Sequence, residues 1–100
     1  MLENRTANER KNTALVTVVG RDQIGIIGGV CSQLAQMEIN ILDISQTVMA
    51  GNFTMMMYVD LATSGHTMTS AAEALDAYGK SRGLVIRLQR TDIFDAMHEL

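Results

Sequence analysis

Seven consecutive residues, Gly20, Arg21, Asp22, Gln23, Ile24, Gly25 and Ile26, hold the most informative side-chain chemistry of this 100-residue chain. They lie between an apolar β-branched run, residues 14–19, and a segment with helical periodicity, so they form the turn at which a helix starts. A helix N-terminus presents unpaired N–H groups and the positive end of the helix dipole, which together hold a carboxylate. Gly20 and Gly25 permit close backbone approach, and Asp22 offers an acceptor to an ammonium group. The combination suits the two ends of a free amino acid. The same residues also admit a structural reading, in which Asp22 caps the helix and the glycines only shape the turn. The residues alone leave both readings open.

Other reactive side chains point to less. Cys31, the one cysteine, excludes an internal disulfide and a four-thiolate metal site, and its place on an apolar stripe predicts a buried, inert thiol. It fits a reducing compartment, and a cytoplasmic location is expected. His66 and His98 lack the spacing and the acidic or thiol neighbours of a zinc site. Asp92 and Asp95 suit a helix N-terminus better than acid–base catalysis. No nucleophile elbow, phosphate loop or dinucleotide fingerprint occurs. We therefore expect no enzyme, no cofactor and no metal.

Composition sets the scale on which these residues act. With 47% hydrophobic and 19% charged residues, the chain reads as one globular domain with a radius of gyration of roughly 13 Å. Only Phe53, Tyr58, Tyr78 and Phe94 are aromatic, so aliphatics and eight methionines must fill the core. The net charge of -3 argues against a nucleic-acid partner. The basic residues, Lys80, Arg82, Arg87 and Arg90 among them, read as solvated surface. No segment approaches the roughly 18 consecutive apolar residues of a membrane span, and the polar first twelve do not resemble a signal segment.

The elements that must position the turn follow from patterning. Residues 1–12 carry five charges and read as a disordered polar arm. The first strand, 14–19, is apolar on both faces, as a central strand requires. Ile24, Ile27, Cys31, Leu34 and Ala35 predict the buried stripe of a three-turn helix, in which Gly28 and Gly29 imply close approach of helix to sheet. Residues 39–49 and 53–60 read as two strands joined by a turn at 50–52. In the second of these, Phe53, Met55, Met57 and Val59 share one face, and Thr54, Met56, Tyr58 and Asp60 the other.

A second helix begins near Thr67 or Thr69, with Ser70 and Glu73 in capping-box spacing as one option. Met68, Ala71, Ala72, Leu75 and Tyr78 make its stripe, and Gly79 or Gly83 stops it. Residues 84–90 alternate as a strand, and residues 91–100 predict a short amphipathic helix behind Asp92, with Ile93, Phe94, Met97 and Leu100 on one face. The expected fold is α+β. It is a ferredoxin-like βαββαβ sandwich over 13–90, a four-stranded antiparallel sheet with two helices on one face, plus the C-terminal helix. Met56 and Tyr58 on the free sheet face predict that it is covered, by a second subunit or by the terminal helix, and mark a dimer interface. RNA binding on this topology is disfavoured, because the central strand has no aromatic. An acylphosphatase-type enzyme is disfavoured too, since no arginine phosphate cradle extends beyond Arg21.

Residues 17–30 (TVVGRDQIGIIGGV), 40–48 (NILDISQTV), FTMMM at 53–57 and IFDAMHEL at 93–100, in this element order, resemble the ACT domain. The likeness is nearest to the single-domain bacterial and archaeal ACT proteins of the UPF0237 kind, and extends to the ACT halves of the glycine cleavage system transcriptional repressor. ACT domains are ferredoxin-like modules that typically sense amino acids and regulate metabolism. The resemblance implies a small regulatory protein, a homodimer or larger homo-oligomer, with its effector loop at Gly20, Asp22, Gly25 and Ile26. It also implies that Asn40 faces that site across a dimer interface, so that the effector acts allosterically. Ile24 departs from the family pattern: many ACT loops carry proline there, and this chain has none, which leaves the turn less rigid. Most ACT domains are attached to the enzyme they control, and no such domain accompanies this one. The alternative is an interaction module that binds no ligand and docks a metabolic enzyme or regulator through the Met-rich sheet face or residues 93–100.

Overall fold

The structure, a computed structural model, describes residues 12–91. The arm at 1–11 and the expected helix over 92–100 lie outside the described residues. The chain forms strand β1 (Thr13–Arg21), helix α1 (Ile26–Gln36), strands β2 (Asn40–Met49) and β3 (Asn52–Asp60), helix α2 (Met68–Arg82) and strand β4 (Val85–Arg90). The sheet is antiparallel throughout, in the order β2-β3-β1-β4. This is the ferredoxin-like sandwich expected from the patterning.

Strict alternation in β3 builds the core. Phe53, Met55, Met57 and Val59 are buried toward the helices, beside Ala14, Val16 and Val18 of β1 and Ile86 of β4. Val30 and Leu34 of α1 and Leu75 of α2 close over them without solvent exposure. Each such large aliphatic contributes about 1.5–3 kcal/mol through burial. The methionines at 55 and 57 take aromatic-sized positions in this layer and fit the gaps between branched neighbours.

The stripe of α1 differs from expectation. Ile26, Val30 and Leu34 face the sheet, while Ile24 is 98% exposed, Ile27 and Ala35 are exposed and Cys31 is half-buried. Ile24 precedes the N-cap at Gly25, so it lies in the loop, and without it the remaining apolar positions rotate toward the i, i+4, i+8 series. Gly29 packs against the Tyr78 hydroxyl of α2, so its lack of a side chain serves contact between helices rather than between helix and sheet. Gly28 faces open space.

Helix α2 starts with a reciprocal capping box. Thr67 Oγ1 accepts from the Ser70 N–H, and Ser70 Oγ accepts from the Thr67 N–H, both at 3.0 Å. The box therefore lies three residues earlier than the Ser70–Glu73 option. Gly83, in left-handed conformation at φ 71°, ends the helix. Gly79 lies inside it, where a Cβ would come within 2.7 Å of the Leu84 carbonyl oxygen. Close packing, not termination, requires glycine at 79.

The sheet face away from the helices is graded. Along β1, Thr13 is buried and Leu15 is 7% exposed, whereas Val19 is 45% exposed. At the buried end Thr91 leaves β4, and its hydroxyl hydrogen-bonds with that of Thr13 and donates to the Thr13 carbonyl at 3.1 Å. Met56 and Tyr58 lie on the middle of this face, 46% and 36% exposed.

Candidate functional site

The turn between β1 and α1 is set by its pairing on both sides. Arg21 ends β1 opposite Asn52, and the Asp22 N–H donates to the Gly51 carbonyl at 2.9 Å, which fastens the turn to the β2–β3 hairpin. Gly25 then takes φ 89°, a left-handed conformation that costs an L-residue about 1–2 kcal/mol, and becomes the N-cap of α1. The first backbone bond of the helix runs from the Gly29 N–H to the Gly25 carbonyl at 2.9 Å. The N–H groups of Ile26, Ile27 and Gly28 accordingly have no partner among the described residues, as the first turn of a helix requires.

Asp22 does not cap this helix. It is exposed, and its carboxylate accepts no hydrogen bond and joins no ion pair among the described residues. The structural alternative for Asp22 is thereby overturned: Gly25, three residues on, holds the cap position. Gly20 has a packing role, since a Cβ there would come within 2.6 Å of Leu84 Cδ2 and 3.4 Å of the Gly83 carbonyl.

The far wall of the turn comes from residues distant in sequence. Arg82, the last residue of α2, donates from Nη2 to the Ile24 carbonyl at 3.4 Å and to Gln23 Oε1 at 3.5 Å. Gln23 Nε2 donates back to the Arg82 carbonyl at 3.2 Å. Arg82 Nη2 lies 3.7 Å from where a Cβ of Gly25 would stand, an ordinary contact, so the left-handed φ and not space requires glycine at 25. Sequence reasoning passed over Arg82 as solvated surface. The signal available was topological: in a βαββαβ sandwich the C-terminal ends of β1 and α2 meet at one edge, and Gly83 marks the end of α2.

Of the residues singled out by patterning, Gly20 to Ile26 are contiguous around this turn, and Asn40 is not with them. Asn40 opens β2 and pairs with Asp60, whereas the turn adjoins the β2–β3 hairpin at the other end of the sheet. Ten residues of strand, about 30 Å, separate the two ends. Asn40 instead lines a hollow of about 430 Å³ with Glu38, Asp60 and Thr63. Met56 and Tyr58 line a smaller depression of about 280 Å³ with Leu15, Asp43 and Ser45. Among the described residues no group of three or more His, Cys, Asp or Glu could hold a metal ion, and no helix is long and apolar enough to cross a membrane. His66 Nδ1 is engaged with Ser70 Oγ at 3.0 Å, at the start of α2.

Element order and sheet order define a ferredoxin-like βαββαβ module with a glycine-aspartate-glycine turn between β1 and α1. Comparison with known proteins places it: the ACT domain family model matches residues 12–89, a UPF0237 protein of Clostridium acetobutylicum is 47% identical over 87 residues, 87% of this chain and 98% of that protein, and the chain belongs to the ACT domain family in its UPF0237 group. An ACT domain protein from Streptococcus pneumoniae superposes with a TM-score of 0.74 at 38% identity, covering 82% of this chain and 92% of that one. The regulatory subunit of aspartate kinase from Thermus thermophilus, in its ligand-free form, superposes with a TM-score of 0.62 at 26% identity, covering 80% of this chain and 52% of that one.

Proposed function

We propose that this protein is a regulator that binds an amino acid or a similar small effector at the Gly20–Ile26 turn and acts as a homodimer. The observation that carries the reading is the unpaired Asp22 carboxylate on the same turn as the unpaired N–H groups of Ile26, Ile27 and Gly28. A zwitterion supplies the complement of each: its ammonium to Asp22, its carboxylate to the helix N-terminus. Membership of a family of regulatory domains supports the same reading, as does the likeness to the regulatory subunit of aspartate kinase.

The place of Asn40, which the family resemblance sets against the turn of a second copy, supports dimerisation. In one copy it lies at the other end of the sheet from the turn, and an antiparallel second copy brings its own Asn40 to that turn. The open sheet face, with Met56 and Tyr58 half-exposed at its centre, is the surface on which the copies meet. A ligand shared between two copies shifts their arrangement only by as much as it binds one arrangement better than the other. The role is regulatory rather than enzymatic, and the half-buried single thiol fits a cytoplasmic setting. Thermal-shift measurements on dialysed protein against the twenty amino acids test the reading, with Asp22→Ala as control. Stabilisation by one of them, lost in the variant, is expected; no response to any of them contradicts it.

A second reading has its own observation. Strand β2 is a ten-residue sheet edge with Ile44, Val48 and Met49 exposed, a template on which a partner protein adds a strand. In that case the module docks a metabolic enzyme or regulator without a ligand. Proline at Ser45 then abolishes capture of that partner, and no amino acid stabilises the wild-type protein.

A further inference from the structure

We infer that Arg82 joins the N-terminus of α1 in holding the ligand's carboxylate and so restricts the ligands of the turn to carboxylates. This inference rests on the effector reading above and names the residue that selects the ligand's class. Three observations carry it.

The first is place. Arg82 comes from the end of α2, yet its exposed guanidinium reaches across to Gln23 Oε1 and the Ile24 carbonyl on the surface of the turn. The second is incomplete use. All its donation within the turn comes from one nitrogen, Nη2, to two neutral oxygens at 3.4 and 3.5 Å, near the limit of a hydrogen bond. No carboxylate among the described residues pairs with it, although Lys80, two residues earlier, pairs with Asp76 at 3.0 Å. A guanidinium has five donors in a planar fork, and the acceptor that fits the fork is a carboxylate held by two parallel bonds.

The third observation is the charge across the turn. Asp22, also exposed and unpaired, belongs to the same turn, and the two opposite charges do not pair with each other. One turn thus carries a cation and an anion that do not neutralise each other, and a zwitterion supplies a counter-charge to each. Gln23 holds the arrangement ready, because its Nε2–H donates to the Arg82 carbonyl and anchors the backbone behind the guanidinium. When a carboxylate enters, Nη2 exchanges two weak neutral acceptors for a charged one, and the Gln23–Arg82 carbonyl bond keeps the helix end in place.

The test uses the full chain and simple probes. Side-chain Nε–Hε signals of arginine and backbone amide signals of residues 20–28 are followed by NMR while acetate, methylammonium or glycine is added at constant ionic strength, in wild type, Arg82→Gln, Arg82→Lys and Asp22→Asn; affinities in every protein are read from the amides. Acetate and glycine are expected to shift the Arg82 signal in wild type. Arg82→Gln should weaken acetate at least fivefold, with partial retention in Arg82→Lys, which keeps the charge without the fork. Methylammonium should bind wild type and Arg82→Gln alike and lose affinity in Asp22→Asn. Acetate binding that is equal in wild type and Arg82→Gln, or an Arg82 signal that does not move, overturns the inference. If an amino acid stabilises wild type and Arg82→Gln equally, the effector reading stands and the role of Arg82 falls. If no amino acid stabilises wild type while acetate still moves Arg82, the effector reading falls and carboxylate recognition stands.

Discussion

Gln23 and Arg82, 59 residues apart, exchange hydrogen bonds across the mouth of the β1–α1 turn: Gln23 Nε2 donates to the Arg82 carbonyl at 3.2 Å and Arg82 Nη2 donates to Gln23 Oε1 at 3.5 Å. This pair connects the β1–α1 turn, the proposed effector site, to the α2–β4 corner. Gly20 makes a second connection to the same corner by packing directly on Leu84. The candidate site is therefore a surface built from both halves of the βαβ repeat, and the energetics of its glycines can be separated one by one.

Gly25→Ala and Gly28→Ala should act in opposite directions. Gly25 sits at φ 89°, so alanine there costs about 1–2 kcal/mol. Gly28 is helical and faces open space, so alanine there gains about 0.5–1 kcal/mol. Urea denaturation of both variants measures the two signs. A stabilised Gly25→Ala would contradict the assigned cap.

Gly79→Ala tests the seat of α2 on β4. The new Cβ would meet the Leu84 carbonyl at 2.7 Å and Ile86 Cγ1 at 3.0 Å, and backbone must move to admit it. A loss of about 1–3 kcal/mol is expected from this overpacking. An unchanged denaturation midpoint would mean that the helix can lift from the strand at no cost.

Thr67→Ala removes the capping box. The Ser70 N–H loses its acceptor, and a loss of about 1 kcal/mol is expected, read from the same denaturation experiment. Glu73→Ala, three residues beyond Ser70, should change stability by less than half of that amount. Equal losses would move the cap back to the Ser70–Glu73 position.

These contrasts also mark how far the residues by themselves disclosed the molecule. The topology was legible because β3 alternates without exception, from buried Phe53 to buried Val59, because a β-branched apolar run marks β1 and because alternation marks β4. The phase of α1 was not, since Ile24 continues its hydrophobic period although the backbone turns left-handed at Gly25 and places Ile24 in the loop. Local pattern carries no information about that turn in φ. The contacts of Gly29 with Tyr78 and of Gln23 with Arg82 were invisible for a different reason: each joins segments about 50 to 60 residues apart, and only the packed fold brings them together. The ligand turn was legible as a cluster of residue types, whereas its far wall at Arg82 was not.

Paired substitutions Met56→Lys and Tyr58→Lys should yield a folded monomer in sedimentation equilibrium, because two charges on the open sheet face cannot be buried between copies without partners. Ile44→Lys with Val48→Lys, on the β2 edge, is the comparison. If only the edge pair dissociates the dimer, the copies join by strand addition instead of face to face.

Binding at the Gly20–Ile26 turn is the central claim, and backbone amide NMR of the uniformly labelled chain tests it most directly. Each of the twenty amino acids is added in turn to protein purified without ligand. For at least one of them, saturable shifts concentrated at Asp22, Gly25 and the amides of Ile26 to Gly28 are expected, with loss of the effect in Asp22→Ala. Spectra that stay unchanged with all twenty, or shifts that cluster on the open sheet face and leave the turn unmoved, would contradict the account.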